Sequence, residues 1–110
     1  MTKVTNKVMS PDEAAHLISD GETICISGLI SVLCPEAILT AIENRFCSEG
    51  RPNALTVFTP IRVGWGPNTG FEHLAHKGLL KRVVSGTYAS KESPRLDEMI
   101  NANEVEAYCF

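Results

Sequence analysis

Runs of β-branched and apolar residues alternate with helical segments along this chain, and that alternation constrains its fold more than any other feature. Ser10 precedes Pro11 with Glu13 three residues on, a capping-box arrangement. It starts a helix with Ala14, Leu17 and Ile18 as apolar stripe and Gly21 as its end. Residues 22–27 (ETICIS) read as a buried strand. After a loop over 28–34, Pro35 opens a second helix in which Ile38, Leu39, Ile42 and Phe46 share a face, and Gly50 stops it. Arg51-Pro52-Asn53 turns the chain into a strand over 54–59 (ALTVFT). A glycine-rich loop follows, then a short helix with Phe71, Leu74, Ala75 and Gly78 on one face, then a strand over 81–85. Ser93-Pro94 opens a last helix with Leu96, Met99 and Ile100 inward, and residues 104–109 alternate as a strand exposed on one side. Strands separated by helices imply parallel pairing through right-handed crossovers. The expected fold class is therefore α/β: a three-layer sandwich with a mostly parallel sheet of three or four strands and helices on both faces. Phe110 leaves no helix to cover the last strand, so residues 1–110 are expected to form an incomplete unit with further protein beyond them.

Composition narrows the function classes. A net charge of -3, with Lys and Arg scattered apart from the small group Lys77, Lys81 and Arg82, provides no basic face for nucleic acid. No apolar run approaches the roughly 20 residues of a membrane helix. The start, MTKVTNKVMSPDE, lacks the apolar core of a signal peptide, so a cytoplasmic location without membrane association is expected. Cys25, Cys34, Cys47 and Cys109 form no CxxC pair and have no histidine at zinc-like spacing, so neither disulfide nor metal is expected. Cys25 and Cys109 lie in apolar runs, where a thiol behaves as a small hydrophobe.

Two loops are candidate ligand sites, because open α/β sheets bind ligands outside the carboxyl ends of their strands. The loop 64–70 (GWGPNTG) follows a strand and precedes a helix, so its glycines permit close backbone approach and the helix start offers free N–H groups. Its spacing is not the dinucleotide fingerprint, and a turn-rich connection without ligand accounts for it equally well. The loop 27–35 (SGLISVLCP) has the same topology one unit earlier. Its apolar character suits an acyl or pantetheine-like chain, or else plain core. Cys34 has no base adjacent in sequence to make it a nucleophile. His73 and His76, three apart on one helix, are expected to project away from the apolar face into solvent. Glu36 and Glu72 each fall in a helix's first turn, where the dipole favours a carboxylate. No Ser-His-Asp set or carboxylate pair is assigned, so the catalytic set within this chain is empty.

The order of segments adds a resemblance. SPDEAAHLISDGETICISGL, CPEAILTAIENRF, GRPNALTVF, GFEHLAHKGLLKRVVSGTY from Gly70 to Tyr88, and the Pro94 helix followed by NEVEAYCF resemble the amino-terminal part of family I CoA-transferases of the acetate and propionate type. That resemblance implies the NagB/RpiA/CoA-transferase fold and exchange of CoA between a short-chain acyl-CoA and a free carboxylate. It implies a glutamate that forms an acyl anhydride and then a glutamyl-CoA thioester, with oxyanion donors and CoA binding energy lowering the barrier. The glutamate falls in the carboxyl-terminal half of such proteins, so this chain alone is expected to be inactive. Carried over by position, Ser27, Gly28, Ser31, Cys34 and Pro35 match a first substrate-lining loop. Thr59, Gly64 and Gly66 match a second, and Gly86 and Thr87 the end of the third strand. The implied partners are acyl-CoA, a short-chain carboxylate, a carboxyl-terminal half or partner subunit, and further copies in a homo-oligomer. No bound cofactor is implied, coenzyme A entering as substrate. The chain departs from the resemblance at Ile30, Ser31 and Leu33, where more glycine is usual, and at Pro60-Ile61-Arg62-Val63, which bears on acyl specificity. The alternative on the same fold is a non-catalytic module binding acyl-CoA or a sugar phosphate.

Overall fold

Ser10 caps the first helix as its sequence predicts, its hydroxyl accepting from the Glu13 N–H at 3.2 Å and donating to the Glu13 carboxylate at 3.1 Å. The computed structural model, which describes residues 6–88 and 91–110, ends that helix early: α1 is Pro11–Ala15. With one turn and a half, the predicted stripe does not form. Ala15 is buried, Ile18 half-buried, and Leu17 is 68% exposed. The elements that follow are β1 (Thr23–Cys25), α2 (Glu36–Glu49), β2 (Leu55–Thr59), a 3₁₀ helix (Gly70–Leu74), β3 (Leu80–Ser85), α3 (Arg95–Asn101) and β4 (Glu106–Tyr108). The 3₁₀ helix stands where an apolar helical face through Gly78 is predicted. Phe71, Leu74 and Ala75 are buried as expected, but Gly78 lies beyond the helix and is exposed.

The four strands form one parallel sheet in the order β1-β2-β3-β4. Sequential order with right-handed crossovers places every connection on the same face. Burial agrees. Leu55, Val57 and Thr59 of β2 and Val83 and Ser85 of β3 are buried, joining Leu39, Ile42, Phe71, Leu74 and Leu96 in one core. Residues of the other parity turn to the opposite face. The register aligns Cys25, Phe58, Val84 and Tyr108 in a row across it, and Phe110 stacks on Phe58 with ring centroids 5.2 Å apart. Phe58 is 37% exposed on that row although it belongs to a central strand. Cys25 and Cys109 are exposed, not buried as their apolar runs predict. Both belong to edge regions of the sheet, where burial needs a second layer that the described residues do not supply. We expect this face to bind a hydrophobic dye, and the pair Phe58→Ser and Phe110→Ser to reduce dye fluorescence severalfold with little change in circular dichroism.

Candidate functional site

Parallel pairing brings the carboxyl ends of β2 and β3 side by side, with Thr59 opposite Ser85. The segments leaving those strands are laced together. The Gly86 N–H donates to the Pro60 carbonyl at 3.1 Å, the Thr59 hydroxyl to the Ile61 carbonyl at 2.7 Å, and the Arg62 N–H to the Thr87 hydroxyl at 3.0 Å. The loop after β1 joins them. Leu29 and Leu33 bridge to form a small hairpin, its residue Ile30 pairs with Val63, and the Gly64 N–H donates to the Ile30 carbonyl at 2.6 Å. The three loops enclose a cavity of about 210 Å³ lined by Ile30, Ile61, Arg62, Gly64, Trp65, Thr87 and Glu92. Its apolar wall is Ile30, Ile61 and Trp65, the last 57% exposed at the rim.

Of the residues expected at the site, Gly64 and Thr87 line this cavity. Gly28 and Gly86 serve it indirectly, each packed so closely (on Leu33 and Val63, and on Pro60) that a side chain would collide. Thr59 is buried beneath, and Gly66 is fixed by its N–H donating to the Ser93 hydroxyl at 3.1 Å. Ser27 and Pro35 border a different hollow of about 290 Å³, with Ile24, Ile38, Leu39 and Ile42 among its walls. Ser31 is exposed at the hairpin tip. Cys34 does not cap α2, whose first flanking residue is Pro35. Its thiol instead donates to the Glu36 carboxylate at 3.5 Å, and burial together with that carboxylate pushes its pKa up to about 11. A thiol so protonated is no nucleophile.

A charged network behind the cavity went unpredicted. Arg62 is buried, and its guanidinium donates to Glu72 Oε1 at 2.5 Å, to Asp97 at 3.3 Å, and to the carbonyls of Tyr88 and Ser93. Glu72, in the first turn of its helix, is 1% exposed, and Arg95 holds its second oxygen at 3.2 Å. His73 is 6% exposed, contrary to the expected projection into solvent. Its Nδ1 faces Glu43 at 2.7 Å and its Nε2 faces Glu36, while His76 Nε2 meets the other Glu43 oxygen at 2.5 Å. The reversal follows from helix type. At three residues per turn, the Glu72 and His73 side chains emerge between α2 and α3 instead of on an outer α-helical face. One signal was present in the sequence: Glu36 and Glu43, seven residues apart, share a face of α2 and set two carboxylates beside one imidazole.

Comparison with known proteins bears on the sequence and the fold. No family profile matches the chain. Acetate CoA-transferase YdiF of Escherichia coli K12 is 29% identical over 104 residues, which cover 94% of this chain and 19% of that protein. Acyl-CoA transferase YdiF of E. coli O157:H7, solved as a thioester complex with CoA, matches in structure with a TM-score of 0.80 at 26% identity, over 93% of this chain and 21% of that one. The chain is similar to these CoA-transferases in sequence and in fold. Caffeate CoA-transferase of Acetobacterium woodii is also similar, 27% identical over 94% of this chain and 20% of its own length. The chain thus spans about a fifth of the length of the relatives it matches, and its α/β parallel sheet matches the corresponding part of the YdiF fold.

Proposed function

We propose that the chain is the amino-terminal part of an enzyme that moves CoA between a short-chain acyl-CoA and a free carboxylate, and that its three loops form one wall of the acyl-CoA site. The observation that carries this reading is the structural likeness to YdiF, which covers 93% of this chain at a TM-score of 0.80. In this reading the reaction is ping-pong through a glutamyl-CoA thioester, with the glutamate on residues outside this chain. The cavity walls Ile30, Ile61 and Trp65 hold the acyl group, while the Thr87 hydroxyl, whose oxygen accepts the Arg62 N–H, presents its proton to the carbonyl end. Arg62, the cation among the cavity residues, has both terminal nitrogens engaged by carboxylates and carbonyls, which favours an acyl chain over the sugar phosphate of the alternative reading. A cytoplasmic, oligomeric protein that takes its second wall from a carboxyl-terminal half or partner subunit fits the same reading.

Trp65 is the sole tryptophan of the chain, so its emission reports on the cavity. We expect a saturable change on titration with acetyl-, propionyl- and butyryl-CoA, and an affinity rising about three- to fourfold per added methylene, from ~0.8 kcal/mol per buried CH₂. An affinity equal to that of free CoA across the series, or a response to a sugar phosphate instead, would overturn the acyl-wall assignment.

A further inference from the structure

The two loops that build the cavity are joined a second time, away from it, through one carboxylate. Glu36, the first residue of α2 after the hairpin loop, accepts the Gly70 N–H on Oε2 at 2.7 Å, and Cys34 donates to the same oxygen. Gly70 closes the loop that begins at Gly64, and the two glycines pack backbone to backbone. Oε1 of Glu36 faces His73, whose other nitrogen faces Glu43. The Thr40 hydroxyl lies 3.3 Å from His73 Nε2. A neutral imidazole carries one N–H and can satisfy only one of two carboxylates, its bare nitrogen opposing the lone pairs of the other. Only the imidazolium donates to both.

We propose that Glu36, His73 and Glu43 form a proton-operated clamp, in which protonated His73 is the positioning residue that holds the Gly64–Gly70 loop against the loop after β1. The groups around it are accounted for on every side. Cys34 is a neutral thiol beside Glu36, and His76 shares Glu43. Arg95 of α3 stands 3.6 Å from Glu43, and Glu72 of the 3₁₀ helix is neutralised by Arg62 and Arg95. Burial opposes the charged ring, but its hydrogen bonds to Glu43 and Glu36 prevail and raise His73 above its ordinary 6.5. Glu36 and Glu43 are both desolvated. The Gly70 N–H and then His73 nevertheless hold Glu36 below the ordinary carboxylate value, and the two histidines do the same for Glu43. The sign follows. A raised histidine contributes stability that is fully present below its unfolded value and is lost as pH rises through the folded one. Depressed carboxylates contribute above their unfolded values and lose it as pH falls through the folded ones. The clamp is closed between these limits and opens on the alkaline side when His73 gives up its proton.

That the clamped wall faces a ligand rests on the proposed function. The clamp itself does not, so the experiment is run without ligand. The wild-type chain is titrated from pH 5 to 9 while the His73 ring resonance, Trp65 emission and Gly70 amide exchange are followed. We expect one midpoint, above 6.5, shared by all three, with Gly70 protection falling at least about tenfold beyond the intrinsic pH dependence of exchange. Glu36→Gln should move the His73 midpoint down and remove the pH-dependent part of Gly70 protection; His16→Gln, which removes the other histidine with a raised pKa, should leave both unchanged. Should Glu36→Gln not fold, the wild-type titration decides alone. A His73 midpoint at or below 6.5 in the folded chain, or Gly70 protection with no step at that midpoint, would overturn the clamp.

Discussion

Replacing Arg62 with methionine is expected to cost about 3–5 kcal/mol, the range for removing one partner of a buried ion pair. Methionine keeps much of the side-chain volume, so the loss isolates the guanidinium. Glu72 would keep Arg95 but lose its 2.5 Å partner, and the Tyr88 and Ser93 carbonyls would lose their donor. Arg62 ties the segment after β2 to the 3₁₀ helix, to Tyr88 and to the start of α3, so a local loss spreads to three elements. Against a typical domain stability of about 5–15 kcal/mol, such a loss leaves a marginal or unfolded chain. Urea unfolding followed by circular dichroism measures it. Glu72→Gln, which keeps the shape and leaves Arg62 beside Asp97, should lie between wild type and Arg62→Met. The double variant Arg62→Met with Glu72→Met should cost less than the two single changes summed, because neither charge is then left buried. Raising salt should change the ranking little, since buried pairs are weakly screened. A loss below about 1 kcal/mol for Arg62→Met, the range of exposed pairs, would show that the network adds nothing to stability.

Why this hub was invisible in the sequence is instructive. Repeating apolar residues with capping and turn residues mark elements well. The strands, α2 and α3 follow the predicted order, and Leu39, Ile42, Phe71, Leu74, Leu96 and Met99 are buried where their spacing puts them. Buried charge leaves no such periodic mark. Arg62 sits between Ile61 and Val63, and its apolar neighbours are the one local hint that it turns inward. Its partners Glu72 and Asp97 are ten and thirty-five residues away, and only the crossover geometry brings them together. The same holds for His73, whose burial depended on a tighter helix than its pattern predicts. Among the expected site residues, Gly64 and Thr87 meet at the cavity because both follow strand ends, a property readable from topology. Ser27 and Pro35 also flank a strand end, yet the Leu29–Leu33 hairpin carries Ile30 to the cavity and leaves them outside it.

Gly70→Ala is expected to be strongly damaging. Gly70 has φ +54, and a Cβ there would lie 2.4 Å from the Gly64 Cα and 2.4 Å from the Val63 carbonyl oxygen. Both are backbone atoms, so no side-chain rotation relieves the overlap. Left-handed strain for alanine contributes about 1–2 kcal/mol, and forced displacement of packed neighbours about 1–3 kcal/mol more. The expected loss is therefore about 2–5 kcal/mol in urea unfolding. The loss has a direction as well as a size. Pushing Gly70 away from Gly64 lengthens the 2.7 Å bond to Glu36 and shifts Trp65, so acyl-CoA titrations read by Trp65 should weaken together with stability. Gly21→Ala provides the contrast. Its φ of +75 carries similar backbone strain, but nothing lies within 4 Å of the added Cβ, so only about 1–2 kcal/mol should be lost and acyl-CoA binding kept. Equal losses at the two positions would mean that backbone conformation alone decides them. A larger loss at Gly70, accompanied by weaker binding, assigns the difference to the close packing of the two glycines that shapes the cavity wall.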